Sequence, residues 1–310
     1  MVIMSDNSVL IVGSVALDSV ETPTGKVERA LGGAAVYSSV AASFFSPVRI
    51  VGVVGDDFPK EHLDYLNSLN IDTRGIQVVP GGKTFHWKGS YEGDMNQANT
   101  IATELNVFQS FAPVLPEDYR DSKFVFLANI DPELQLKVLD QVKSPKLTAC
   151  DTMNFWINTK KDALLEVLKR VDIVFINDAE ARQLMETVNL TKAAGAIHEL
   201  GPKYVVVKKG EHGAVMYCSD SMCFAAASYP LEEVADPTGA GDSFAGGFMG
   251  YMASNGDLTE ANIRKAVVYG STLASYNVQD FSLNRFKRLT VKEIGDRYEE
   301  FKKIAFFESL

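Results

Sequence analysis

The chain has 310 residues, 46% of them hydrophobic and 23% charged, which suits one large α/β domain or two ordinary ones. Lys and Arg number 30 against 40 Asp and Glu, a net charge of −10 with no basic run, and this argues against nucleic-acid binding and against an anionic membrane surface. No apolar stretch is long enough to span a bilayer, residues 1–6 lack the pattern of a signal peptide, and the sparse cysteines suit a reducing compartment, so a cytoplasmic protein is expected.

Residues 8–15 (SVLIVGSV) form a near-continuous apolar run, which predicts a central strand covered on both faces. Asp18 falls just past its carboxyl end, the edge at which open α/β sheets bind ligands; a plain turn is the alternative reading. Residues 19–30 are polar, with Pro23 and Gly25, and predict a hairpin or exposed flap. Gly32-Gly33 then opens a small-residue helix running to about residue 45. A strand over 48–54 precedes Gly55-Asp56-Asp57-Phe58 and a helix over 60–69, with Leu63, Leu66 and Leu69 on one face. Gly81-Gly82-Lys83-Thr84 looks like the end of a P-loop, but the glycine that motif needs is Gln77. Phe85, Trp87 and Gly89 then alternate with polar residues as in a strand, so the P-loop reading is rejected. Residues 83–108 predict exposed strands with turns such as Glu92-Gly93-Asp94.

Further strands are expected over 124–130, 147–151, 173–177 and 204–208, with helices over 161–170 and 179–187 between them. The alternation predicts an α/β fold, a doubly wound, mostly parallel sheet flanked by helices. Polar residues gather where these strands end: Asp151 and Asn154, then Asn177 and Glu180, then Lys208-Lys209-Gly210 and Gly213. Each has an ordinary reading as turn residue, helix cap or solvated lysine. Cys218 and Cys223 with His212 fit no zinc spacing well, and Cys150, Cys218 and Cys223 are expected as free thiols.

The densest chemistry lies at Asp236-Pro237-Thr238-Gly239-Ala240-Gly241-Asp242, a glycine-bearing turn opening a helix that reaches about residue 252. Such a helix start binds anions, because its first N–H groups lack intrahelical partners and its dipole favours negative charge. Asp242 stands in that first turn, where a bound phosphate would repel it. It makes sense as a base that takes a proton from a hydroxyl attacking the phosphate; a helix-capping role is the alternative. A second helix over 262–277 carries Ala266, Gly270 and Ala274 at a spacing that predicts close packing.

The string from Asp236 to Asp242, continued by Ser243-Phe244, resembles the carboxy-terminal signature of the ribokinase-like (PfkB) family of carbohydrate and nucleoside kinases. The family form is Asp-Thr-x-Gly-Ala-Gly-Asp, from which Pro237 is a departure. The likeness covers nearly the whole chain in order, through Asp18, Gly32-Gly33, Gly55-x-Asp57 and Asn177-x-x-Glu180. It implies a ribokinase-like fold of one domain, residues 1–310, with a small β-sheet lid inserted at about 18–31 and 83–108. It also implies an ATP-dependent kinase acting on a hydroxyl of a small sugar, with a nucleoside as the alternative acceptor.

In this resemblance Asp242 is the general base, and Gly239, Ala240 and Gly241 form the anion hole. Asp18, Gly32, Gly33, Tyr37, Asp151 and Asn154 fall in the acceptor site. Asn177, Glu180, Lys208, Lys209, Gly210, Gly213 and Asn277 border the nucleotide, with Asn177 and Glu180 organising magnesium through water. Asp236 falls where some members hold a monovalent cation, which admits potassium. Members of the family often pair their lids in a homodimer. Tyr37 stands where the family often has a sugar-binding Asn. With Phe85, Trp87 and Phe155 it offers aromatic surface that suits either a nucleoside base or lid packing. A sugar is placed slightly ahead of a nucleoside. A non-catalytic sugar or nucleoside sensor is the competing class, favoured by Tyr37 and Pro237 and opposed by the intact anion loop. A dinucleotide-dependent enzyme is disfavoured, since no Gly-x-Gly-x-x-Gly follows the first strand.

Overall fold

The computed structural model describes residues 7–93, 95–218 and 223–306; residues 1–6, Asp94 of the expected turn and the Cys223 side chain lie outside the described residues. The chain begins with β1 (Val9–Val12), β2 (Ala16–Thr22), β3 (Gly25–Gly32), α1 (Ala34–Ser43), β4 (Val48–Gly55), α2 (Lys60–Ser68) and β5 (Ile71–Val79). It continues through β6 (Phe85–Tyr91), β7 (Ala98–Glu104), β8 (Phe124–Leu127), α3 (Pro132–Leu139), β9 (Leu147–Asp151), α4 (Asn154–Thr159) and α5 (Lys161–Leu168). Then come β10 (Ile173–Asn177), α6 (Asp178–Leu184), α7 (Leu190–Leu200), β11 (Tyr204–Lys208), β12 (Ala214–Cys218) and β13 (Cys223–Ala226). The chain closes with α8 (Ala240–Asn255), α9 (Glu260–Asn277) and α10 (Val291–Ile304).

Nine strands form the main sheet in the order β13-β12-β11-β10-β9-β8-β1-β4-β5. All neighbours are parallel except β11–β12 and β12–β13. Every residue of β1, β8 and β9 is buried, as apolar strands covered on both faces require. The two-residue period sends Val9, Ile11, Phe124 and Phe126 into a core shared with α1, α8 and α9. Leu10, Val12, Val125 and Leu127 enter a second core shared with α3, α5, α6 and α7. From β1 the sheet grows one way through β4 and β5 and the other way through β8 to β11, so its order reverses between β1 and β8. The crevice above the carboxyl ends at that point is where such sheets bind ligands.

A separate four-stranded sheet has the order β3-β2-β6-β7. It consists of two antiparallel hairpins joined by parallel pairing of β2 with β6. Several elements differ from the sequence reading. β5 and the antiparallel pair β12–β13 were not expected. β5 lies at an edge, where buried Ile71 and Gly75 alternate irregularly with exposed Val78 and Val79, so it shows no clean period. The strand expected over 124–130 stops at Leu127, and the helix expected over 179–187 stops at Leu184, just before Glu186 with φ of 51°.

Helix α8 is clamped between α1 and α9. A Cβ on Gly246 would lie 2.1 Å from the Ser38 carbonyl of α1, and one on Gly270 of α9 would lie 2.8 Å from the Phe244 carbonyl of α8. The two backbones therefore touch, and the amino end of α8 has a fixed place over the crevice. Gly246→Ala is expected to destabilise the protein by about 1–3 kcal/mol through overpacking. A thermal-unfolding midpoint equal to that of the wild type would show that the contact has slack.

Candidate active site

The turn at 236–242 is held by its own polar atoms. Buried Asp236 accepts from the Thr238 amide at 2.9 Å and from the Ser282 amide at 3.3 Å. Gly239 has φ of 76°, and a Cβ there would lie 2.4 Å from the Tyr37 ring, so only glycine fits. One amide of the expected anion hole is engaged within the turn. Ala240 donates to the Pro237 carbonyl at 3.1 Å and closes the turn, while the first intrahelical bond runs from Ser243 to Gly239. Gly241 and Asp242 are left at the helix start with amides that have no intrahelical acceptor.

Asn277, which the resemblance sets beside the nucleotide, is 1% exposed and braces this turn. Its amide donates to the Thr238 carbonyl at 2.7 Å and its oxygen accepts from Ser243 Oγ at 3.2 Å.

The carboxyl ends of β9, β10 and β11 supply the charge below the turn. Lys208 Nζ lies 2.5 Å from Asp151 Oδ2, and it lies 3.0 Å from where a Cβ on Gly241 would sit. Burial pulls this ammonium down, but Asp151 and Glu180 outweigh it and hold Lys208 above the usual lysine range. Asp242 is partly buried; burial pushes its carboxyl up to about 7, Asp151 adds to the rise and Lys208 opposes it. Glu180 forms a capping box with Asn177, each accepting from the other's backbone amide at 2.9 and 2.8 Å. Burial pushes Glu180 up to about 7 as well, against the pull of Lys208.

Asn154 is exposed at the rim, and its backbone amide, not its side chain, reaches Glu180. Lys209 begins the β11–β12 turn, with its amide donating to the Gly213 carbonyl at 2.8 Å, and Gly210 and Gly213 complete that turn with positive φ. Of the two lysines, Lys208 is the one brought into the cluster.

Across the crevice stands Asp18, 6% exposed, with the Gly33 amide donating to Oδ2 at 3.3 Å and Gly32 leaving room for the carboxylate. Burial pushes Asp18 up to about 7, and the neighbouring charges of Asp236 and Asp242 add to this. Tyr37 is 2% exposed and packs beneath the turn, where burial and the charges of Asp18 and Asp236 push its phenol well above its usual value.

Some of the site's residues were not read from the sequence. Gln135 Nε2 donates to the carbonyls of Leu127, Ala128 and Asp151 at 3.0–3.2 Å and ties the ends of β8 and β9 together. Tyr91, at the end of β6, accepts from Thr238 Oγ1 at 3.3 Å. Its place in the alternation with Phe85, Trp87 and Gly89 is the signal that could have found it.

The small sheet sits over this crevice. Thr22 and Thr24 hydroxyls donate to the Ala235 carbonyl at 2.8 and 2.9 Å. Asn96 Oδ1 lies 2.8 Å from a Cβ placed on Gly210. Asp57 accepts from the Thr84 amide at 2.6 Å and from Arg29 at 2.8 Å, joining both hairpins to the main sheet. Phe85 stacks on Phe108, and Phe155 is 53% exposed. No group of three or more His, Cys, Asp or Glu is arranged to hold a metal ion among the described residues, and no helix among them is long and apolar enough to cross a membrane.

A carboxylate with pKa near 7 beside an open helix start and a buried ammonium is suited to deprotonating a hydroxyl while an adjacent phosphoryl group is stabilised. Comparison with known proteins bears on the family. The family model for pfkB family carbohydrate kinases matches residues 6–287. A cytidine kinase of Thermococcus kodakarensis is 36% identical over 255 residues, covering 81% of this chain and 90% of that one. The crystal structure of a Methanocaldococcus jannaschii nucleoside kinase, an archaeal member of the ribokinase family, superposes with a TM-score of 0.76 at 22% identity, covering 95% and 98% of the two chains. An E. coli structure assigned to ribokinase II, in complex with ATP and Mg2+, gives 0.76 at 21% identity over 96% and 99%. The chain is a member of the PfkB family of carbohydrate kinases, a phosphotransferase with a hydroxyl acceptor.

Proposed function

We propose that this kinase transfers the γ-phosphoryl group of ATP to a ribosyl hydroxyl of a nucleoside, with Asp242 as the general base. The acceptor recess carries the reading. It is bordered by the carboxylates of Asp18 and Asp242 and the phenol of Tyr91, with buried Asp236 and Tyr37 behind them. These groups bind hydroxyls and repel an acceptor that bears a carboxylate or phosphate. Lys208 lies on the other side of the turn, against Gly241, where the phosphoryl group would be. The likeness to a cytidine kinase and to a nucleoside kinase favours a nucleoside over a free sugar.

In this reading Asp242 accepts the proton of the attacking hydroxyl. Lys208 and the amides of Gly241 and Asp242 meet the charge on the transferring group. Glu180 and Asn177 would hold magnesium through its waters, and the bound ion neutralises the phosphates. The raised Glu180 carboxyl beside Asp151 fits a place made for a further cation. A monovalent cation beside Asp236 and a homodimer formed through the lid complete the reading; β3 and β7 are the open edges of the small sheet, and Ile101 on β7 is 56% exposed.

ATP consumption with magnesium and potassium across a panel of nucleosides and sugars is expected to show turnover with a nucleoside, and less of it when a bulky organic cation replaces potassium. Turnover of free sugars alone would overturn the nucleoside reading, and binding without any turnover would favour a sensor. Asp242→Asn should lower kcat by about 10²–10⁴-fold. The base must be unprotonated to act, so kcat/KM should fall as pH drops below about 7. Lys208→Met removes the cation that opposes this rise and should move the fall to higher pH; an unmoved profile would assign the titration to another group. Sedimentation should give a species of twice 33.9 kDa that Ile101→Glu splits, and a monomer at all concentrations would remove the dimer.

A further inference from the structure

β2 and β6 pair in parallel with Asp18 beside Trp87 and Val20 beside Gly89. Paired residues point to the same face of a sheet, and the face alternates along each strand. Asp18 turns toward the crevice, so Trp87, Gly89 and Tyr91 face it too. Tyr91 supports this independently, since its hydroxyl meets Thr238 of the anion turn. His86 turns the other way, where it meets Ser19 Oγ at 3.0 Å and Glu104 at 3.6 Å.

The indole of Trp87 lies across the backbone of Gly89. A Cβ there would stand 2.3 Å from both Cη2 and Cζ2 of the ring. The single polar atom of the ring, Nε1, donates to Thr100 Oγ1 of β7 at 3.3 Å. The ring is thus laid along the sheet and tied back at one end, and it remains only half-buried. The ring therefore starts beside Asp18 and runs across β6 toward β7, on the sheet face that Asp18 and Tyr91 share. A flat apolar surface fixed beside a hydroxyl-binding carboxylate matches a ligand that joins a planar aromatic ring to a polyol.

We infer that Trp87, seated on Gly89, is the platform on which the nucleoside base stacks while Asp18 holds the ribose. This residue then sets the preference for nucleosides over free sugars. The inference rests on the nucleoside reading and deepens it.

The test uses the full chain and cytidine as acceptor. Trp87→Ala is expected to raise the KM for cytidine roughly 5- to 100-fold, the range that base stacking on an aromatic side chain contributes, with kcat and the KM for ATP within about 3-fold of wild type. Trp87→Phe keeps a stacking surface and should hold the KM within about 5-fold. Cytidine should quench tryptophan emission in the wild type, which has two tryptophans, and this response should vanish in Trp87→Phe. Turnover of cytidine with an unchanged KM in Trp87→Ala overturns the platform and leaves the nucleoside reading standing. Wild type that turns over free sugars but no nucleoside removes both. Where Trp87→Ala does not fold, Gly89→Ala lifts the ring from its seat and carries the same expectation, and an unchanged KM there overturns the inference.

Discussion

The site depends on a shortage of positive charge. Asp151, Glu180 and Asp242 lie around one ammonium, that of Lys208, with Asp151 buried and the others partly buried. Burial, with the neighbouring charge of Asp151 added to it, makes Asp242 keep its proton longer and brings it to the range where a carboxyl can both hold and release a proton near neutrality. The arrangement is unfavourable in itself and persists because the frame around it is stiff. Backbone contact between α1, α8 and α9 holds the helix start, Gln135 binds the ends of β8 and β9, and Asp236 and Asn277 lock the turn from below.

Much of this was legible in the sequence because it rests on local pattern. Central strands read as unbroken apolar runs, since both faces are buried, and the turn at 236–242 is a contiguous string whose glycines and acids act on one another. Legibility failed where a role depends on distant partners. Asn277 ends α9, and its partners, the Thr238 carbonyl and Ser243 hydroxyl, are remote in sequence, so its bracing of the turn could not be read there. Ala240 belongs to the motif, but the geometry of the Pro237 turn turns its amide inward. Edge strands such as β5 escape for another reason: half in water, they keep neither a full apolar run nor a clean alternation.

Tyr37 shows how a departure from a family pattern is resolved by packing. Its ring supports Gly239 from beneath and its burial is nearly complete, so the position contributes to the shape of the turn as well as to the recess. The aromatic residues of the sequence then divide by location. Phe85 stacks within the lid base, Phe155 stands in solvent, and Trp87 lies on the face that looks into the crevice.

Three residues separate the end of β1 in the main sheet from the start of β2 in the small one. The anion turn and the small sheet proposed to meet the acceptor are consequently joined closely yet built from different layers, and the inner face of β6 has little part in either hydrophobic core. Selection for folding scarcely constrains that face. Descendants of such a chain can exchange one acceptor for another through a few replacements on a single strand, while the phosphoryl chemistry is inherited intact.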